Sequence, residues 1–228
     1  MLGRVMPLQF RPIEGVQTGL IGYLLADLAA KAAVVIDPPR GQTELILALS
    51  EERGVELKYV LRTHVHAADG DACDELCSRT CACLLAGDEF EIAGMPAARM
   101  CRVGHGAALS FGAETIDVIG TPGHTPGSVS FLWQDRLFCG DVFDLDGCVP
   151  SGSETEPGRL FDTLVRRVFV LPEETLVFPA HPIDVRRVAT LDKLKAHLAP
   201  VMRHGRDAFI TDMESRRTMD SASGESVP

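Results

Sequence analysis

Short apolar runs alternate with amphipathic segments along the chain, and this alternation is typical of a layered α/β domain. In the first half, strands are predicted at residues 20–25, 32–36, 59–61 and 83–86, and helices at 43–53 and 71–79. In the second half, strands are predicted at residues 108–111, 115–119, 129–133, 136–139 and 175–178, and helices at 159–170 and 185–202. We therefore expect one domain at residues 1–213, followed by a disordered polar tail at 214–228.

The composition allows a sizeable core and argues against several classes of protein. Of the 228 residues, 46% are hydrophobic and 24% are charged. The formal net charge of -10 argues against a nucleic-acid partner, which would require a basic surface. The sequence has no apolar run of the roughly 18 residues that a membrane span needs, and its start lacks the apolar core of a signal peptide. We therefore expect a cytoplasmic protein with no membrane partner.

The seven cysteines are predicted to be reduced thiols, because an odd number without a secretion signal does not indicate a disulfide framework. Cys73, Cys77 and Cys81 recur at i, i+4 and i+8, which predicts packing along one helical face rather than a zinc site. Cys139 lies within an apolar run and is predicted to be buried. Cys148 lies in a long loop, where it is either an inert thiol or a group near the substrate.

Five polar side chains follow strand-like runs at Gly- or Pro-rich turns, and together they indicate a metal site. His64 and His66 come directly after the run at 59–61, and the others are His124, Asp141 and His181. Imidazole and carboxylate groups are common ligands of transition metals. A His-x-His pair alone is weak evidence, because such a pair also caps helices or bonds to the backbone.

Four ordered motifs resemble those of the metallo-β-lactamase superfamily. They are Thr63-His64-x-His66, the glycine- and proline-rich segment 120–128, Gly140-Asp141 and Phe178-Pro179-Ala180-His181. The resemblance covers residues 10–200 and implies an αββα sandwich of two mixed β-sheets flanked by helices, with metal at one edge. Segments 171–181 and 206–213 are most similar to the persulfide (sulfur) dioxygenase branch, with the glyoxalase II-type thioester hydrolases as neighbours.

The resemblance also implies roles for the five polar side chains. In the dioxygenase branch the positions of His64, His124 and Asp141 hold iron(II), and we take these three as the catalytic set. Two histidines and one carboxylate leave open positions that oxygen and substrate can occupy. His66 is expected to be a fourth ligand or to lie just behind the ligands. His181 matches a ligand of the second metal that other members bind, and zinc is the alternative cofactor.

The sequence departs from the family pattern at two places. In the pattern Thr-His-x-His-x-Asp-His, the last two places are taken by Ala68 and Asp69, so the second-metal histidine is missing. Asp69 and Asp71 could supply oxygen ligands instead, or cap the helix that follows. The dioxygenase pattern Gly-Cys-Gly-Arg-Thr-Asp is replaced by Gly-Cys-Val-Pro-Ser-Gly at 147–152, which argues against glutathione persulfide as the substrate. Asp37 is predicted to order the ligand loop.

Three functions remain open from the sequence. The first is a mononuclear iron dioxygenase that oxidises a low-molecular-weight thiol persulfide. The second is a zinc-dependent hydrolase of a thioester or lactone, and the third is a non-catalytic binding module that keeps the fold. The first two imply a small-molecule thiol or thioester as the partner, and a homodimer is left open.

Overall fold

The computed structural model describes residues 8–16, 19–64, 72–88, 100–143, 147–148, 154–181 and 187–223. Within these residues the chain forms two six-stranded sheets. The first contains β1 (Leu8–Glu14), β2 (Ile21–Asp27), β3 (Ala32–Ile36), β4 (Glu56–Leu61), β5 (Cys83–Gly87) and β6 (Met100–Val103), in that order. The second contains β7 (Ala108–Phe111), β8 (Glu114–Gly120), β9 (Val129–Trp133), β10 (Arg136–Gly140), β11 (Leu176–Pro179) and β12 (Ala189–Thr190).

Both sheets are mixed. In the first sheet β1, β2 and β3 are antiparallel, whereas β3, β4, β5 and β6 run parallel. In the second sheet β10 and β11 are parallel and the other neighbouring pairs are antiparallel. The parallel strands matter for function because side chains that follow their carboxyl ends lie at one edge of a sheet.

Helices cover the outer face of each sheet. They are α1 (Thr43–Arg53), α2 (Ala72–Arg79), α3 (Pro157–Thr163), α4 (Leu191–Met202) and α5 (Arg206–Ser223), and α3 continues as a π-helical turn at Leu164–Val168. One core lies between the sheets and includes Tyr23, Phe131 and Phe138. A second core packs α1 and α2 on the first sheet, and a third packs α3, α4 and α5 on the second. The predicted αββα sandwich is therefore confirmed.

Strands that are covered on both faces, such as β3, are continuous apolar runs. All residues of β2 and β3 are buried, and the bounds of β3 and α1 agree with the sequence prediction. The hairpin of β9 and β10 also forms across residues 134–135, with Gln134 in the left-handed region at φ 55°. No helix in the described part of the chain is long and apolar enough to cross a membrane.

Two sequence predictions near the C-terminal end are corrected. Of the helix predicted at 185–202, residues 185–186 lie outside the described part of the chain, and α4 begins at Leu191 because Ala189 and Thr190 pair with β11 as a short strand. Residues 214–223, predicted as part of a disordered tail, instead continue α5, whose first turns are packed on the second sheet through Phe209 and Met213. Residues 224–228 lie outside the described part of the chain, and a single domain at 1–213 stays a prediction.

The cysteines follow the prediction with one exception. Cys73, Cys77 and Cys139 are buried, and none of the seven cysteines, all of them described, forms a disulfide. Cys81 is exposed, because α2 ends at Arg79 and the helical face does not extend to it. Cys148 is buried against the helices of the second sheet.

A buried carboxylate connects the two sheets at the end of β2. Asp27 Oδ1 accepts hydrogen bonds from the amides of Ala29 and Ala30, both at 3.0 Å. Asp27 Oδ2 accepts one at 2.9 Å from the amide of Ala113, in the turn between β7 and β8. The bonds from Ala113 and Ala30 lower the pKa of Asp27 despite its burial, which raises it.

We predict that Asp27→Asn lowers the free energy of unfolding at neutral pH by about 1–3 kcal/mol, since an amide cannot accept all three bonds. The wild-type advantage should be fully present above the unfolded-state pKa of about 3.9 and be lost as the pH falls through the lower folded-state value. Urea denaturation at several pH values measures it. The exposed Asp117 provides the control variant Asp117→Asn, and equal stability of both variants at neutral pH would contradict the prediction.

Candidate metal centre

Three histidines surround one carboxylate oxygen at the edge where the sheets meet. The Nε2 atoms of His64, His124 and His181 lie 3.3, 3.6 and 3.3 Å from Asp141 Oδ2. Ligand atoms of His64, His124 and Asp141 all lie within 4.8 Å of one another, and no other group of three or more such residues is found in the described ranges. His181 shares the oxygen but is not part of that group.

Each of these side chains lies in a loop or turn that follows a strand. His64 follows β4, His124 lies in the loop between β8 and β9, Asp141 directly follows β10, and His181 follows β11. The sheets are joined at this edge because the carbonyl of Thr63 accepts a hydrogen bond from the amide of Val129 at 2.7 Å. The residues brought together therefore come from both sheets.

Gly140 sets the distance between the two halves of the site. Its φ of 57° is in the left-handed region, and a Cβ there would collide with the side chain of Thr63. The Gly140 carbonyl accepts a hydrogen bond from the amide of Ala180 at 3.2 Å. Glycine thus allows Asp141 to follow its strand in direct contact with the His64 loop and the His181 loop.

A chain of hydrogen bonds fixes the orientation of His64. Asp37 accepts two bonds from Thr63, from its amide at 2.9 Å and from its hydroxyl at 2.7 Å. Thr63 Oγ1 lies 3.0 Å from His64 Nδ1, and its single hydrogen already points to Asp37, so the ring nitrogen donates. In the neutral ring the proton then lies on Nδ1, so that the lone pair of Nε2 can bind a cation held between His64 and Asp141. The predicted role of Asp37 in ordering the ligand loop is confirmed.

The charge of Asp141 is the electrostatic centre of the site. Asp141 is 5% exposed, and its Oδ1 has no hydrogen-bond partner among the described residues. Burial raises the pKa of Asp141, but the charge of His64 and the hydrogen bond from His181 hold it well below its usual value. A transition-metal cation can take the place of the protons that His64 and His181 otherwise supply, because it balances the charge of the carboxylate and binds imidazole nitrogens.

The negative charge of Asp141 shifts the pKa of His64 upward. Burial lowers the pKa of His64, but attraction to Asp141 outweighs burial and raises it. Protons and a metal would therefore compete for His64, with low pH favouring the proton.

The remaining predicted site residues, His66, Asp69 and Asp71, lie outside the described part of the chain. Sequence reasoning missed Tyr23, whose hydroxyl donates to the Pro179 carbonyl at 2.6 Å and holds the strand end that precedes His181. A tyrosine within an apolar run gives no signal of this role.

Comparisons with known proteins define the class. Persulfide dioxygenase ETHE1 from Mus musculus is 29% identical over 197 residues, which cover 85% of this chain and 75% of the relative. Hydroxyacylglutathione hydrolase from Xanthomonas oryzae is 31% identical over 198 residues, covering 86% and 75%. The crystal structure of ETHE1 from Myxococcus xanthus superposes with a TM-score of 0.80 at 33% identity, covering 90% of each chain. No family profile matches the sequence.

The fold and the ligand cluster define an αββα protein with a candidate metal centre between its two sheets. The chain belongs to the metallo-β-lactamase superfamily, in the branch that contains the ETHE1 persulfide dioxygenases and the hydroxyacylglutathione hydrolases. The resemblance found from the four motifs is confirmed, and these relatives are enzymes.

We predict that Asp37→Asn moves the proton of neutral His64 from Nδ1 to Nε2. The asparagine amide would donate to Thr63 Oγ1, and the threonine hydroxyl would then donate to His64 Nδ1. Asparagine tolerates the positive φ of 46° at this position, so the fold should be retained. Nitrogen-15 NMR of the metal-free protein at alkaline pH measures the tautomer, with exposed Asp117→Asn as control. An unchanged Nδ1–H form in Asp37→Asn would show that Thr63 does not set the tautomer.

Proposed function

We propose that this protein is a mononuclear iron(II)-dependent dioxygenase that oxidises a low-molecular-weight thiol persulfide. The observation that supports this proposal most directly is the cluster of two histidines and one carboxylate, in which one buried carboxylate oxygen has no partner in the described residues. Similarity to the ETHE1 proteins in sequence and fold supports the reaction.

His64, His124 and Asp141 would hold the iron. Iron(II), when bound by such a set, supplies open coordination positions and redox electrons, which zinc does not. His64 contributes a lone pair whose direction is set by Thr63, and Asp141 contributes the negative charge that balances the cation. His66 is proposed as a further ligand or as a hydrogen-bond donor behind the others.

The role of His181 differs between the proposed dioxygenase and its main alternative, a zinc-dependent hydrolase. In a mononuclear site, His181 Nε2 donates its proton to Asp141 and keeps the carboxylate oriented. In a dinuclear zinc site, the same nitrogen would bind a second metal, as a thioester or lactone hydrolase would require. The similarity to hydroxyacylglutathione hydrolases supports that alternative, but the family's second-site histidine is missing from 68–70.

The third possibility, a non-catalytic binding module, is the least favoured. A chain that had lost its chemistry would have no need to keep three buried or half-buried histidines around one carboxylate at the energetic cost of burying charge. The dioxygenase pattern that is missing at 147–152 bears on the substrate only, and we propose a persulfide carrier other than glutathione. A cytoplasmic location and a homodimer stay predictions.

We predict that the iron-loaded protein consumes oxygen when it is given a persulfide and cleaves thioesters poorly. Holding both reactants in one site removes much of the entropic barrier to their reaction. An oxygen electrode with a panel of small persulfides, including the glutathione form, measures the activity. His124→Ala should reduce oxygen uptake and bound iron to background.

The matched control is His105→Ala, because His105 is exposed and lies outside the ligand cluster. It should retain both iron and activity. No oxygen uptake with any persulfide, together with rapid thioester or lactone hydrolysis by the zinc-loaded protein, would replace the dioxygenase proposal with the hydrolase.

A further inference from the structure

The loop that carries His124 is held from behind by two side chains of α3 and its π-helical turn. The guanidinium of Arg167 donates to the carbonyl of Gly120 at 2.6 Å. The hydroxyl of Thr163 donates to the carbonyl of Pro122 at 2.7 Å. Thr163 is buried and Arg167 is half-buried, so water competes poorly for either carbonyl. Neither side chain belongs to the ligand cluster.

The two residues that precede α3 bond to the next two carbonyls of the loop. The Glu156 amide donates to the Gly123 carbonyl at 2.8 Å, and the Thr155 hydroxyl donates to the His124 carbonyl at 3.4 Å. Gly123 has φ 141°, and a Cβ at this position would collide with the backbone of Leu160. Loop and helix are therefore in direct contact, and a side chain at Gly123 would push them apart.

The N-cap of α3, α3 itself and its π-helical turn present these groups on one side. The contacting residues are Glu156, Leu160, Thr163 and Arg167, at i, i+4, i+7 and i+11. The π-helical turn begins directly after Thr163 and is closed by the bond from the Phe169 amide to the Leu164 carbonyl at 2.8 Å. Turns of this type are frequent next to functional sites.

We propose that Thr163 and Arg167 are positioning residues for His124. By holding the carbonyls before His124, they determine where its imidazole lies relative to Asp141, 3.6 Å from Nε2 to Oδ2. A ligand set works only when its members are held within about 0.5 Å of the productive geometry. The inference rests on the metal site proposed above, but it does not depend on the substrate or on which metal is bound.

Cobalt(II) titration tests the proposal, because the visible spectrum of bound cobalt reports the geometry of its ligands. Thr163→Val keeps the shape of the side chain and removes the bond to Pro122, so cobalt affinity should fall by about 10-fold with an altered spectrum. Thr163→Ser keeps the hydroxyl and should restore both. The matched control is Thr43→Val, a buried threonine of α1 whose hydroxyl donates to Glu75 at 2.8 Å. It should lose stability without changing cobalt affinity or spectrum.

The outcomes separate this inference from the metal-site proposal. If the wild type does not bind cobalt, or His124→Ala binds it equally well, the metal site is wrong. If the wild type binds cobalt through His124 while Thr163→Val matches it in affinity and spectrum, the positioning role is wrong. Should Thr163→Val fail to fold, Arg167→Met compared with Arg167→Lys decides by the same two readouts.

Discussion

The buried charge of Asp141 is the constraint on which the rest of the site depends. A carboxylate that is 5% exposed must be compensated, and three histidine nitrogens within 3.6 Å of Oδ2 do this on one side. The other oxygen has no partner in the described residues. The uncompensated oxygen leaves room for a cation on that side of the carboxylate, at the point where strand ends from both sheets converge.

The backbone around this charge is determined by contacts that allow no extra atoms. Gly140 and Gly123 each lie where a Cβ would collide with a neighbour, the first with the His64 loop and the second with α3. Hydrogen bonds then fix two of the loops. Asp37 accepts bonds from Thr63, which precedes His64, and Tyr23 donates to the Pro179 carbonyl shortly before His181. Stability and function are coupled here, because the bonds that close the sandwich also orient the candidate ligands.

Much of the fold and part of the site could be predicted from the sequence. Buried strands such as β3 appear as unbroken apolar runs, and His64, His124, Asp141 and His181 follow such runs, so pattern and motif order suffice. The short strand at 189–190 and the helix beyond 213 depend on pairing and packing with distant residues, which local patterns do not show. The role of Thr163 could not be predicted for the same reason, since its partner Pro122 is 41 residues away.

The proposed function requires one metal ion bound by His64, His124 and Asp141. The most direct test is metal analysis of protein purified without air from cells supplied with iron. We predict one iron per chain, with zinc at trace levels. Two zinc ions per chain would contradict the mononuclear iron site and favour a dinuclear hydrolase. Protein that retains no metal under these conditions would favour a binding module.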